Sequence, residues 1–95
     1  MTLNWSPEAL KDLRDIRAFI SQDDPGAAKK IVSRIVTLVA EQLPRNPEIG
    51  RLGRVSGTRE LVISNTPFVV PYRIRDGHID NLRVYHTARL WPEHF

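Results

Sequence analysis

Arg59, Arg73, Arg75, Arg83 and His86 lie among apolar residues between Gly57 and His86, with Tyr85 beside the histidine and Arg89 just beyond. Those residue types suffice in kind for metal-free cleavage of RNA. The reaction needs a group to take the 2′-hydroxyl proton, a group to protonate the leaving oxygen, and cations to hold the added charge on phosphate. Histidine exchanges protons near neutral pH, and arginine supplies fixed positive charge. The pattern is not specific, because a lone histidine at a strand end serves structure just as readily. Other chemistries find less support. There is no Cys, and the three histidines (His78, His86, His94) show no metal-ligand spacing. No metal or cofactor is therefore expected. The segment GRLGRVSG lacks the Lys-Ser/Thr ending and strand-to-helix setting of a phosphate loop.

The charge distribution points to an anionic partner. Net charge is +3, yet residues 1–43 hold six Lys/Arg against six Asp/Glu, while residues 44–95 hold eight basic and five acidic residues. Every basic residue of the second part is Arg. Its planar fork matches phosphate or carboxylate bidentately, whereas Lys is a point charge on a flexible stem. Nucleic acid or an acidic protein segment would suit, and so would a merely solvated surface.

The elements that must position these residues can be read in order. The length fits one domain, residues 1–95, with one modest core. No apolar run approaches the roughly 20 residues of a membrane span, and MTLNWSPEALKDL does not have the pattern of a signal peptide. A cytoplasmic setting fits these features. Thr2–Trp5 reads as an edge strand. Ser6-Pro7-Glu8 opens a helix by cap, proline and first-turn acid. Leu10, Leu13, Ile16 and Ile20 follow at helical spacing with Phe19 beside them, and Lys11, Asp12, Arg14 and Asp15 fill the opposite face. Asp24-Pro25 opens a second helix, striped by Ala28, Ile31, Val32, Ile35, Leu38, Val39 and Leu43 and ended by Pro44. The short link predicts an antiparallel helical hairpin.

Pro44–Ser56 reads as a loop, in which Arg51 and Arg54 sit beside glycines where backbone can approach a ligand. A three-stranded meander follows: Arg59–Ser64, Phe68–Arg75 and His78–Thr87, joined by Asn65-Thr66-Pro67 and by the hairpin pair Asp76-Gly77. Alternation puts Phe68, Val70, Tyr72, Ile74, Leu82 and Val84 on a core face beneath the hairpin. Arg73, Arg75 and Arg83 are left on an open, basic face. Pro71 cannot donate to a ladder, so one side of its strand must be unpaired or bulged there. Trp91 and Phe95 in the tail should pack back on the body. The fold class is α+β, two layers, an N-terminal strand and helical hairpin on a mainly antiparallel sheet.

The order of these elements, with WSPEALKDL, GTRELV, PFVVPYRI and LRVYHTARLWP, resembles the RelE/ParE superfamily of bacterial toxins over nearly the whole chain. The resemblance implies the toxin half of a type II toxin–antitoxin module, neutralised by a small antitoxin of ParD or RelB kind encoded beside it. RelE-like members cleave mRNA on the ribosome, and ParE-like members are associated with poisoning DNA gyrase. GTRE followed by YRI, and Val84-x-His86, look closer to ParE-like sequences. There is no Lys after Lys30 and no Tyr in the last ten residues, which departs from the nuclease pattern. Yet Arg73 and His86 fall at positions resembling those of nuclease members with a histidine.

Two readings follow. In one, the chain binds gyrase without chemistry of its own. In the other, it is an endoribonuclease with His86 as acid or base and Arg59, Arg73 and Arg89 on phosphate. Arg51, Arg54, Arg83 and Tyr85 are candidates for contacting the target. Leu13, Arg17, Ile20 and Arg73 are candidates for contacting the antitoxin, whose helix is expected along the hairpin and whose acidic residues would mask the Arg-rich half.

Overall fold

Two capping residues, each followed by proline, set where the helices begin. The computed structural model describes residues 1–95. Helix α1 (Pro7–Ser21) starts where the Ser6 hydroxyl accepts the Ala9 N–H at 3.0 Å. Helix α2 (Pro25–Gln42) starts where the Asp24 carboxylate accepts the Ala27 N–H at 3.0 Å. Proline at the first helical position costs nothing, since that N–H has no partner within the helix. The Ser6 hydroxyl also donates to the Leu82 carbonyl at 2.7 Å, so one side chain both starts α1 and ties it to the sheet.

Strand β1 (Thr2–Trp5) precedes α1, and the sheet is completed by β2 (Arg51–Leu52), β3 (Arg59–Val62), β4 (Phe68–Arg75), β5 (His78–Asn81) and β6 (Tyr85–His86). The order across the sheet is β1-β5-β4-β3-β2, with β6 pairing β4 beyond the end of β5. β1 lies at the edge and pairs β5 in parallel, and all other pairs are antiparallel. This is the two-layer α+β arrangement expected from the pattern. The β4–β5 turn uses Asp76 (φ 49°) and Gly77 (φ 77°), two successive left-handed residues as a two-residue hairpin requires. The Pro44–Ser56 connection is not wholly a loop, because β2 pairs β3 within it. Two residues are too few to leave a periodic signal.

The expected third strand is split. Asn81 lies opposite Tyr72 and Tyr85 opposite Val69, so three residues on one strand face two on the other. This is a β-bulge at Leu82–Val84. The Pro71 carbonyl accepts the Leu82 N–H at 2.9 Å, so the side of β4 on which Pro71 lacks a donor faces the bulge. The bulge also breaks the expected alternation. Val84 enters the core, but Leu82 stays half-buried outside it.

The core joins Leu13, Ile35, Val39 and Leu43 of the helices to Leu61, Ile63, Phe68, Val70, Tyr72, Ile79 and Val84 of the sheet side. Two helical expectations fail. Leu10 and Phe19 remain exposed, Phe19 at 73%. Asp12, placed on the outer face by its charge, is buried. Its position one residue before Leu13 still lies within the arc that α1 turns toward the sheet, and a cation waits for it there (below). No helix is long and apolar enough to cross a membrane.

Candidate functional site

The second face of the sheet is not an open arginine surface. Along its middle, Glu60, Val69, Pro71 and Tyr85 are buried. The tail packs on Tyr85: Trp91 meets its ring edge-on at 4.9 Å, and Phe95 lies 6.1 Å from the same ring. The Arg54 guanidinium stacks 4.3 Å from the Trp91 ring centre, and Arg89 and Arg83 flank the Tyr85 ring at 4.6 and 4.8 Å. The Arg54–Trp91 and Arg89–Tyr85 contacts, with the aromatic packing of Trp91 and Phe95 on Tyr85, hold the tail to the sheet, as expected for Trp91 and Phe95.

Two acidic residues pair with three of the eight arginines that follow residue 43. The Glu60 side chain is fully buried and accepts the Arg51 Nε–H at 3.1 Å and the Arg54 backbone N–H at 2.7 Å. The Arg54 side chain approaches it at 3.7 Å. Asp12 accepts Arg83 bidentately, from Nε at 2.8 Å and Nη2 at 2.9 Å, and takes the Val84 N–H at 2.9 Å. The hydrogen bond to Asp12 raises the Arg83 pKa further above its ordinary value, so this cation stays charged at any working pH. Arg83 is thus turned toward α1 and does not stand free beside Arg73 as the strand alternation implied.

The residues assigned to nuclease chemistry do not converge. Arg59 shares the core face with Tyr72 and donates to the carbonyls of Gly50 at 2.9 Å and Glu48 at 3.2 Å. His86 pairs Phe68, while Arg73 pairs Asp80, five residues further along β4 and about 17 Å away at strand spacing. The odd separation also puts Arg73 on the opposite face. The His86 Nδ1 accepts the Ala88 N–H at 3.1 Å, so that nitrogen is already occupied, and the ring stands edge-on to Phe68 at 5.8 Å. Arg89 is stacked on Tyr85.

Around Gly50 the loop is pinned by Tyr72. Its hydroxyl donates to the Pro47 carbonyl at 2.6 Å and accepts the Gly50 N–H at 2.9 Å. Burial raises the Tyr72 pKa above 10.0, offset in part by the hydrogen bond from Gly50 and by the nearby Arg59. A Cβ at Gly50 would lie 2.6 Å from that hydroxyl, which is why glycine stands there.

On the helical side, Leu13 is spent in the core, Arg17 is exposed, and Ile20 lines an apolar groove of about 450 Å³ with Ile16, Phe19, Ile31, Pro67, Phe68, His86 and Asp15. No group of acidic or histidine residues could hold a metal ion. The sequence reading missed Asp12 and Glu60, the residues that organise the arginines. For Glu60 a signal existed: it alternates with Arg59 and Leu61 in a short strand, one of whose faces had to be covered.

A family model described as the ParE toxin of the type II toxin–antitoxin system parDE matches residues 3–91. The chain is 45% identical over 92 residues to the putative toxin Y4kP of Sinorhizobium fredii, covering 96% of this chain and 93% of that protein. It is 41% identical over 86 residues to toxin RelE2 of Caulobacter vibrioides, covering 90% and 94%. Among solved structures, it resembles one of the chromosomal ParDE system from P. aeruginosa at a TM-score of 0.80 and 33% identity, covering 90% of this chain and 95% of that one.

Proposed function

The chain belongs to the ParE toxin family of type II toxin–antitoxin systems, and from that premise we propose that it arrests growth by binding DNA gyrase until a cognate antitoxin covers it. The observation that carries this reading is the dispersal of its reactive groups. Arg59, Arg73 and His86 occupy separate places on two faces of the sheet, and His86 has one ring nitrogen already engaged. Proton transfer and phosphate binding at one bond need groups within hydrogen-bond reach of each other's substrate atoms. A binding surface has no such requirement. Likeness to the ParDE structure supports the same reading.

The antitoxin would approach the helical side first. Exposed Phe19 and half-buried Ile16, Ile20 and Ile31 line an apolar groove together with exposed Pro67 and buried Phe68. Such a groove suits the apolar face of an amphipathic helix, with Arg17 nearby to meet acidic residues. A target and an antitoxin of this kind would both be met in the cytoplasm.

One observation favours a second reading, a ribosome-dependent mRNA endonuclease: a relative 41% identical carries a RelE name. The two are separated by adding purified protein to gyrase with supercoiled plasmid and, separately, to cell-free translation. Stabilised DNA breaks with normal translation are expected. Translation arrest with cut mRNA and no effect on gyrase would overturn the gyrase reading.

A further inference from the structure

Folded chains protect the free edges of a sheet with charged side chains, proline, a bulge, or a strand kept very short. One edge of this sheet is protected. β2 is two residues long and carries Arg51. Just past the end of β3, the Arg34 guanidinium donates to the Ser64 carbonyl at 2.7 Å and to its hydroxyl at 2.8 Å, which occupies that edge. The opposite edge has no such device. β1 is four residues long, TLNW, with no charge, no proline and an unbroken register, and no strand pairs its outer side.

The N–H groups of Thr2 and Ser6 donate inward to the carbonyls of Gly77 and Asn81, both at 3.0 Å. Alternation along the strand then turns the N–H and C=O of Leu3 and Trp5 outward. The side chains of Leu3 and Trp5 pack against the core on the helical face, yet both stay half-buried. Asn4 is exposed on the other face, where its amide donates to Asp80 at 3.1 Å. The charge beside this edge selects its partner. Asp80 lies opposite Asn4, so an acidic segment laid along β1 would meet a carboxylate first. A neutral strand with apolar residues on one face and polar residues on the other fits better, and β1 is itself such a strand.

We propose that the β1 edge pairs with the β1 edge of a second copy of this chain, antiparallel, about a two-fold axis that passes between the two Asn4 residues. Leu3 then exchanges backbone hydrogen bonds with Trp5 of the second copy, and Trp5 with its Leu3, so every outward group of these residues gains a partner. The same pairs set Leu3 against Trp5 on the helical face and cover apolar surface that each copy alone leaves half-exposed. Asn4 faces its own counterpart as a non-hydrogen-bonded pair, with Cα atoms about 4.5 Å apart. The contact is self-complementary, as a two-fold interface must be. A four-residue edge buries little area, so the dimer is weak and reversible, with a Kd on the order of 10 μM. It uses none of the residues that line the helical groove, and it holds whichever target the toxin meets.

The test follows the mass of the full chain, free of any partner, by sedimentation equilibrium from about 1 to 200 μM. The average mass should rise from one chain toward two across this range, and a single-chain mass throughout overturns the proposal. Asn4 is exposed, so its variants should fold as the parent does. Asn4→Lys sets like charges opposite each other at the two-fold axis and should weaken association by roughly 10-fold or more. Asn4→Ala removes only an exposed hydrogen bond and should change it by less than about 3-fold. A dimer that survives Asn4→Lys unchanged lies elsewhere on the surface and overturns the proposal. Because the chain has no Cys, Asn4→Cys gives a second readout. Oxidised glutathione should join two copies through that position, where the strand spacing suits a disulfide. Arg75→Cys, exposed and two strands away from the edge, should cross-link far less. Equal cross-linking of the two variants overturns the pairing. If the parent stays monomeric, and the Leu3 and Trp5 amides gain protection from hydrogen exchange only when the small protein encoded beside the gene is added, the edge belongs to that partner and the proposal falls.

Discussion

Removing the Asp12 carboxylate should unseat the bulge and the first helix together. Asp12 accepts three hydrogen bonds, two from Arg83 and one from the Val84 N–H. Their fates differ after Asp12→Ala. Val84 is 3% exposed, so its N–H is left buried without an acceptor, a loss of about 1–3 kcal/mol. The Arg83 side chain is 25% exposed and can return to water, so the ion pair itself adds only about 1 kcal/mol. The sum is about 2–4 kcal/mol. For a domain of this size that lowers the thermal midpoint by roughly 10–25 °C. Asp12→Asn keeps a carbonyl oxygen for the Val84 N–H and should lose only about 1–2 kcal/mol. Urea unfolding followed by circular dichroism gives both numbers, read as midpoint shifts at unchanged slope. Hydrogen exchange gives a local check, because the Val84 amide should lose protection selectively in Asp12→Ala. A loss below about 1 kcal/mol for Asp12→Ala, or equal losses for the two variants, would refute the idea that the stranded Val84 N–H causes most of the destabilisation.

Three further outcomes are expected. Tyr72→Phe leaves the buried Gly50 N–H without its acceptor and should cost about 1–3 kcal/mol at neutral pH. It should also flatten the alkaline limb of the stability curve. The unfolded phenol ionises near 10.0 while the folded one, raised by burial, keeps its proton, so parent stability falls as pH rises above 10.0 and this part of the fall disappears in the variant. Denaturant midpoints at a neutral and an alkaline pH measure both effects. Gly50→Ala sets a methyl group 2.6 Å from the Tyr72 hydroxyl and 2.9 Å from the Glu60 carbonyl, and should destabilise by about 1–3 kcal/mol in a thermal melt. His86→Ala removes an edge contact with Phe68 and an exposed hydrogen bond, so growth arrest at equal protein level should persist. A loss of arrest with an unchanged melt would return proton-transfer chemistry to that residue.

Much of the framework is local and was therefore readable from residue order. Ser6-Pro7 and Asp24-Pro25 start helices because their side chains and missing N–H groups act within one turn. Asp76-Gly77 turns a hairpin because glycine and aspartate tolerate left-handed backbone. The stripe of α2 faces the sheet because helical spacing alone decides which residues share a side. Pro71 announced an interrupted ladder for the same kind of reason, and the bulge opposite it is that interruption.

What each charge is for was settled only by tertiary contacts. Asp12 and Arg83 are far apart in the chain, and nothing in the local pattern of either marks it as half of a pair. Only the fold brings Arg51 of β2 and Arg54 of the following turn onto the Glu60 carboxylate. The reactive residues between Gly57 and Arg89 are close in sequence, yet the pleat and the length of β4 divide Arg73 from His86 by face and by about 17 Å. Sequence by itself determined the family, both helices, the β4–β5 hairpin and the excess of arginine, but not β2 or the break between β5 and β6. Which of the half-buried arginines is paired is a sum over long-range contacts, and only the folded chain gives Arg34, Arg59 and Arg83 their acceptors while Arg73 makes no side-chain hydrogen bond.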